Sequence, residues 1–238
     1  MSKVILYRKA TKIRVIHDCM QSKKKVIEID DKKKIIEIDD KKKIINKGSG
    51  AGGANTLING LSFENKTSIE NKLLENNFEK IIMNKKNKYG YYFQNNNMNK
   101  KIIYLTQSGF RLYCKKEFNI DIYKQPDEAF IIIYNNIYHI KILEKKNQNV
   151  DGSVEDKLKT GQFNKREYEK MFKKIPHKFN IYYAFCISKF LQDKFQSNQI
   201  KYNNMIEIMK EDDIKIFYGE DEKYFDILFE WINTNYLF

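Results

Sequence analysis

Apolar and polar positions change period several times along the chain. Over residues 1–17, Val4, Ile5, Leu6, Ile13, Val15 and Ile16 are interspersed with basic residues, which predicts one or two short strands. Residues 56–83 carry Leu57, Leu61, Ile69 and Leu73 at helical spacing, then Phe78, Ile81 and Ile82, predicting a helix over 57–76 and a strand near 78–83. Residues 84–100, rich in Asn, Lys and Tyr, read as a polar loop, and 101–106 as a strand. Residues 107–124 read as an irregular segment. Further on, 153–160 and 165–174 read as helical, 179–185 as a strand and 188–195 as a helix. An amphipathic stretch follows at 202–210, a strand at 214–218 and an aromatic helix at 222–232.

The clearest pattern lies between these. Residues 128–134 are an apolar, β-branched run, residues 138–143 alternate, and Asn135-Asn136 between them tolerates positive φ. Two strand-like runs about such a pair predict a β-hairpin. Folded about Asn136, it sets Glu144 near Glu128, with Asp127 diagonally beside Glu144 at about 5–8 Å. Lys146, two residues beyond Glu144, leaves the same face of the strand. Two carboxylates and an ammonium thus converge at the open end of an apolar hairpin. Carboxylates this close resist joint ionisation unless a cation lies between them. Oxygen donors in a small site suit a hard divalent ion, and a lysine beside one can orient or deprotonate a water. The same residues also describe a hairpin with a charged, solvated mouth, since Asp, Glu and Lys commonly flank turns.

Composition narrows the class. A chain of 238 residues is one large domain or one domain with an attachment, and 16 Phe with 16 Tyr can fill a sizeable core. Lys and Arg number 44 against 31 Asp and Glu, a net charge of +13 that suits a polyanion such as DNA. Only Arg8, Arg14, Arg111 and Arg166 are arginines, so Lys dominates, as an AT-rich genome alone would produce. Cys19, Cys114 and Cys186 are odd in number and lack zinc spacing, which reads as reduced thiols in a cytoplasmic setting. His17, His139 and His177 are isolated; His17-Asp18-Cys19 are sequence neighbours, which does not make a triad, and His139 reads as a packed or surface residue. No apolar run reaches membrane length, and the N-terminus does not read as a signal peptide.

Residues 23–45 repeat Lys-Lys-Lys-Val/Ile-Ile-Glu-Ile-Asp-Asp at a period of nine, with fewer than three copies, too few for a solenoid. Each copy reads as a short strand with a charged turn, and replication slippage accounts for its origin; its lysine triplets offer DNA contacts that adjacent aspartates offset. Gly48-Ser49-Gly50-Ala51-Gly52-Gly53 contains GxGxxG, but the charged run before it does not suit a buried parallel strand. It reads as a flexible joint, or as backbone that approaches DNA closely. The division expected is a β-rich attachment over 1–47 and a main domain over 48–238. Tyr89, Tyr91 and Tyr92 among basic residues could stack on bases, though an ordinary polar loop accounts for them as well.

Pro126-Asp127 followed by Glu144-Lys145-Lys146 resembles the PD-(D/E)XK nuclease signature, and Gln148, two residues after the lysine, matches many type II restriction endonucleases of that superfamily. Asn149–Leu158 resembles the segment after the lysine in some restriction enzymes. Gly52-Gly53-Ala54-Asn55-Thr56 and Asn59-Gly60-Leu61-Ser62-Phe63-Glu64 resemble their first-helix entry. The resemblance spans roughly residues 50–190. It implies an α/β (α+β) fold, with a mixed central sheet flanked by helices and a restriction-endonuclease-like αβββαβ core. It also implies Mg²⁺-dependent, sequence-specific hydrolysis of double-stranded DNA. Asp127, Glu144 and the backbone carbonyl of Lys145 would hold the metal, and Lys146 would position or activate the attacking water. Gln148 would support the site or touch the DNA backbone. Glu64 would reach the metal through water, or else is an exposed helix glutamate. A palindromic target would favour a homodimer, and restriction-modification implies a cognate DNA methyltransferase. The competing readings are a less specific repair or mobile-element nuclease of the same superfamily, and a catalytically inactive basic DNA-binding protein. The DNA target itself is not legible, because readout depends on which few side chains reach base edges.

Overall fold

A computed structural model of the chain describes residues 6–9, 12–15, 24–29, 34–39, 54–86, 90–97, 100–149 and 153–234, with side chains from residue 60 onward. Two compact units are present, Met1–Lys47 and Gly48–Phe238. In the first, β1 (Leu6–Lys9) pairs antiparallel with β2 (Lys12–Val15), and β3 (Lys24–Ile29) with β4 (Lys34–Asp39). The first two copies of the nine-residue repeat are therefore the two arms of one hairpin, with Lys24 opposite Asp39. The third copy, His17, Asp18, Cys19 and the glycine run 48–53 lie outside the described residues.

The second unit is α/β. In chain order it comprises α1 (Ala54–Lys66), α2 (Glu70–Glu75), β5 (Glu79–Ile82), β6 (Tyr91–Asn97), β7 (Lys100–Leu105) and α3 (Gln107–Phe118). The hairpin β8 (Glu128–Tyr134) and β9 (Ile137–Lys146) follows, then α4 (Val154–Leu158), α5 (Gly161–Phe172) and β10 (Phe179–Ile187). The chain continues through α6 (Lys189–Phe195), α7 (Ile200–Glu211), β11 (Ile214–Tyr218) and α8 (Tyr224–Asn233). The seven strands β5 to β11 form one mixed sheet in sequence order. Neighbours from β5 to β9 run antiparallel, whereas β9, β10 and β11 run parallel.

Helices cover both faces, which gives three layers. One face packs Ile131, Ile140, Ile142, Tyr183 and Phe185 under α3, α5, α6 and α7. The other packs Phe130, Ile132, Leu143, Ala184 and Cys186 under α1, α2 and α8. Successive strand residues leave opposite faces, so burial on both sides explains why residues 129–132 form an unbroken apolar run. It also buries polar positions that alternation would send to solvent. Lys141 is wholly buried, donates from Nζ to the carbonyls of Trp231 and Thr234 at the end of α8, and has its ammonium pKa pushed down to about 7 by burial and by Lys215 and Lys100. Of the packed and surface alternatives for His139 the structure shows the packed one, with Nδ1 at 3.2 Å from the Tyr182 hydroxyl.

Three expected elements differ. The helix over 57–76 is two helices, because Thr67 ends the first: its hydroxyl and its N–H both donate to the Phe63 carbonyl, at 2.8 and 3.0 Å. The polar loop over 84–100 contains β6, whose Asn95–Asn97 end pairs with Ile102–Lys100 and shows no apolar alternation to betray it. The irregular segment over 107–124 contains α3, whose Phe110, Tyr113 and Cys114 fall at i, i+3 and i+4 on the buried face. Asn119, left-handed at φ 53°, terminates it.

Candidate active site

The hairpin turn is the tight kind the Asn pair suggested, with φ of 50° at Asn135 and 61° at Asn136. Its register is one residue off the expected one: Glu128 lies opposite Leu143, and continuing that register sets Asp127 directly opposite Glu144. A one-residue shift exchanges faces, and here it brings Asp127 rather than Glu128 onto the face of Glu144. The Lys145 N–H donates to Asp127 Oδ2 at 2.7 Å. Lys146 Nζ stands 2.8 Å from Glu144 Oε2 and 4.0 Å from Asp127 Oδ2. These three side chains are 25%, 13% and 20% exposed for Asp127, Glu144 and Lys146, so the cluster opens to solvent while its base is buried.

The cluster lies at the carboxyl end of β9, where the antiparallel part of the sheet meets the parallel part. Carboxyl ends of parallel strands are where open α/β sheets leave room for ligands. Helix α5 walls it. Gly161, its first residue, lies so close to the sheet that a Cβ would come within 2.8 Å of Ile214 and 2.9 Å of Phe185. Asn164 and Tyr168, one turn apart on that helix, face the site region: Asn164 donates to the Tyr183 hydroxyl at 3.1 Å, and Tyr168 donates to the Lys124 carbonyl at 3.4 Å. Lys124 itself pairs with Glu167 at 2.8 Å and donates to Asn164.

Burial raises the Glu144 carboxyl above the usual carboxylate range; Lys146 works against that rise, and the Asp127 charge adds to it. The phenols of Tyr168 and Tyr183 are pushed up by burial first and then by the negative field of Glu144. They remain protonated donors beside the carboxylates. The donor chemistry fits a hard cation: two oxygen ligands whose shared negative charge one lysine does not fully offset. Among the described residues no group of three or more His, Cys, Asp or Glu comes together, so any metal here would draw on two carboxylates, backbone and water.

The structure thus brings together Asp127, Glu144 and Lys146. Gln148 is buried just past β9, where its backbone N–H donates to Ser188 Oγ at 3.2 Å, and that hydroxyl donates back to the Gln148 carbonyl at 2.8 Å. Glu64 lies on α1, against the opposite face of the sheet, and meets β9 through its carbonyl, which accepts from Lys145 Nζ at 3.2 Å. Sequence reasoning missed Lys124, Asn164, Tyr168 and Tyr183, which come from the segment before β8, from α5 and from β10. Their only linear signal is the i, i+4 spacing of Asn164 and Tyr168. No helix among the described residues is long and apolar enough to cross a membrane. Comparison with known proteins finds no match to a family model, to a curated protein or to a solved structure.

Proposed function

We propose that the chain is a Mg²⁺-dependent, sequence-specific endodeoxyribonuclease of the PD-(D/E)XK kind, similar to type II restriction enzymes. The observation that carries this reading is the Lys146 ammonium beside Glu144 and Asp127 at the partly open end of a buried hairpin. The fold is compatible with it: α1, β7, β8, β9, α5 and β10 trace the order αβββαβ, with α2, β5, β6, α3 and α4 as additions. Net charge supports a polyanionic substrate.

Asp127 and Glu144 would hold Mg²⁺, with the Lys145 carbonyl and water completing its shell. When bound, the ion supplies positive charge against the scissile phosphate. Lys146 orients the attacking water, and its charge offsets that developing on the phosphate. Tyr168 and Tyr183 keep their protons and so can donate toward the carboxylates or substrate without adding negative charge. The products are a 5′-phosphate and a 3′-hydroxyl. The active species is a homodimer in the cytoplasm, cutting both strands of a palindromic site that a partner methyltransferase protects.

Digestion of a plasmid of known sequence with Mg²⁺, with EDTA and with Glu144→Ala tests this. Discrete Mg²⁺-dependent bands, lost in both controls, are the expected result. Smearing that still needs Glu144 points instead to a less specific nuclease. Salt-sensitive DNA binding with no cutting in Mg²⁺ or Mn²⁺ sinks the enzyme reading.

A further inference from the structure

A second charged group lies back to back with the open one, across the same end of the sheet, and the chemistry above does not use it. Alternation sends Glu144 and Lys146 to one face of β9 and Lys145 to the other. On that face Lys145 Nζ meets Glu128 Oε1 at 2.7 Å, both side chains only 3% exposed. The Tyr104 hydroxyl donates to the same oxygen at 3.0 Å, and Lys145 Nζ also donates to the Glu64 carbonyl of α1. The second Glu128 oxygen, Oε2, is buried and has no hydrogen-bond partner in the described structure.

Such a pair is a poor way to fill a core. Well-packed apolar residues of similar volume are often as stable or more so. What apolar residues lack is direction. Lys145 uses its backbone N–H to hold the Asp127 carboxylate and its side chain to hold the next residue, Glu128, and α1. It therefore clasps the first residues of β8 to the last residues of β9 at the point where Asp127 and Glu144 face each other.

We infer that the buried Lys145–Glu128 side-chain pair is the positioning element of the candidate metal site: it sets where Asp127 stands relative to Glu144, and so the affinity for a divalent cation, through side chains that touch neither cation nor DNA. This rests on reading Asp127 and Glu144 as the cation's ligands. Groups that orient ligating carboxylates commonly change metal affinity 10–100-fold when removed.

The test is Mn²⁺ binding to the full chain by titration calorimetry, with thermal unfolding and DNA binding in EDTA measured in parallel. Lys145→Met is expected to weaken Mn²⁺ binding about 10–100-fold while leaving DNA binding in EDTA unchanged. Lys145→Arg, which keeps the ion pair, regains most of the affinity. The double variant Glu128→Leu/Lys145→Met removes both charges and regains thermal stability, so it remains informative if the single variant fails to fold; its Mn²⁺ binding stays weak. Wild-type Mn²⁺ affinity in the folded double variant overturns the inference, because the pair would then be structural only. If the unaltered chain takes up no Mn²⁺ and Asp127→Asn changes nothing, the metal-site reading itself falls, and this inference with it.

Discussion

Glu144 shows most directly how the site works against the fold. Its carboxyl is raised above the usual range by burial and by Asp127, so the folded chain holds a proton that the unfolded chain has released over the pH window between the ordinary and the raised values. In that window the native state binds more protons, and stability falls as pH rises. The cost grows as pH rises through that window. Glu144→Gln is therefore expected to raise stability at pH 7 by about 0.5–2 kcal/mol, as relief of strained functional sites commonly does, while abolishing cutting. The gain should vanish below the ordinary carboxylate range. Thermal unfolding from pH 3 to 8 checks this, and an unchanged or lower melting temperature at pH 7 contradicts it. The convergence of Asp127, Glu144 and Lys146 was legible from their spacing about the hairpin turn. Their protonation was not, because it depends on burial by the folded chain and on Lys124, which the fold brings near.

Among the elements, the β8–β9 hairpin carries the site, and its turn sets the register. Both turn residues are left-handed, at φ 50° and 61°. Asn tolerates this conformation, whereas a residue such as Ala meets a clash worth roughly 1–2 kcal/mol. Asn136→Ala is expected to lose about that much stability in urea denaturation, and Asn136→Gly to lose none. Equal stability of the two variants would show that the turn does not constrain the hairpin. The hairpin was readable because its apolar run, Asn pair and alternating arm follow one another without interruption. Its register was read one residue out, because folding about a single Asn and about the Asn-Asn pair differ by one. Helix α3 was missed since its buried stripe, Phe110, Tyr113 and Cys114, is short and lies among basic residues.

For the whole molecule, the excess of 44 basic over 31 acidic residues sets the expected behaviour toward DNA. Counterion release makes log K fall with log salt, with a slope of about −0.9 for each phosphate neutralised. An Asp127→Asn variant, which removes a candidate metal ligand but no basic side chain, should bind a DNA duplex with a slope of several such units. A flat salt dependence would remove the polyanion from the reading. The three-layer packing also explains why charge at single positions could not be assigned from pattern. Lys141 and Lys145 lie in a chain of surface-like composition, yet both are buried, because helices close over each face of the sheet.

The linear sequence by itself determined the elements whose signal is local: the hairpin, the strand read over 179–185 and seen over Phe179–Ile187, the strand at 214–218, the aromatic helix after residue 222, and the spacing that brings Asp127, Glu144 and Lys146 to the open end of the hairpin. Period, turn residues and β-branching act within a few residues of one another, so they survive in the order of amino acids. Only the tertiary structure decided which carboxylate faces which, that Lys145 turns inward to meet Glu128 and Tyr104, and that α5 walls the open pair. Those outcomes depend on register and on burial by elements distant in sequence. A period-two pattern states that neighbouring side chains part company, but not which face the rest of the chain will cover.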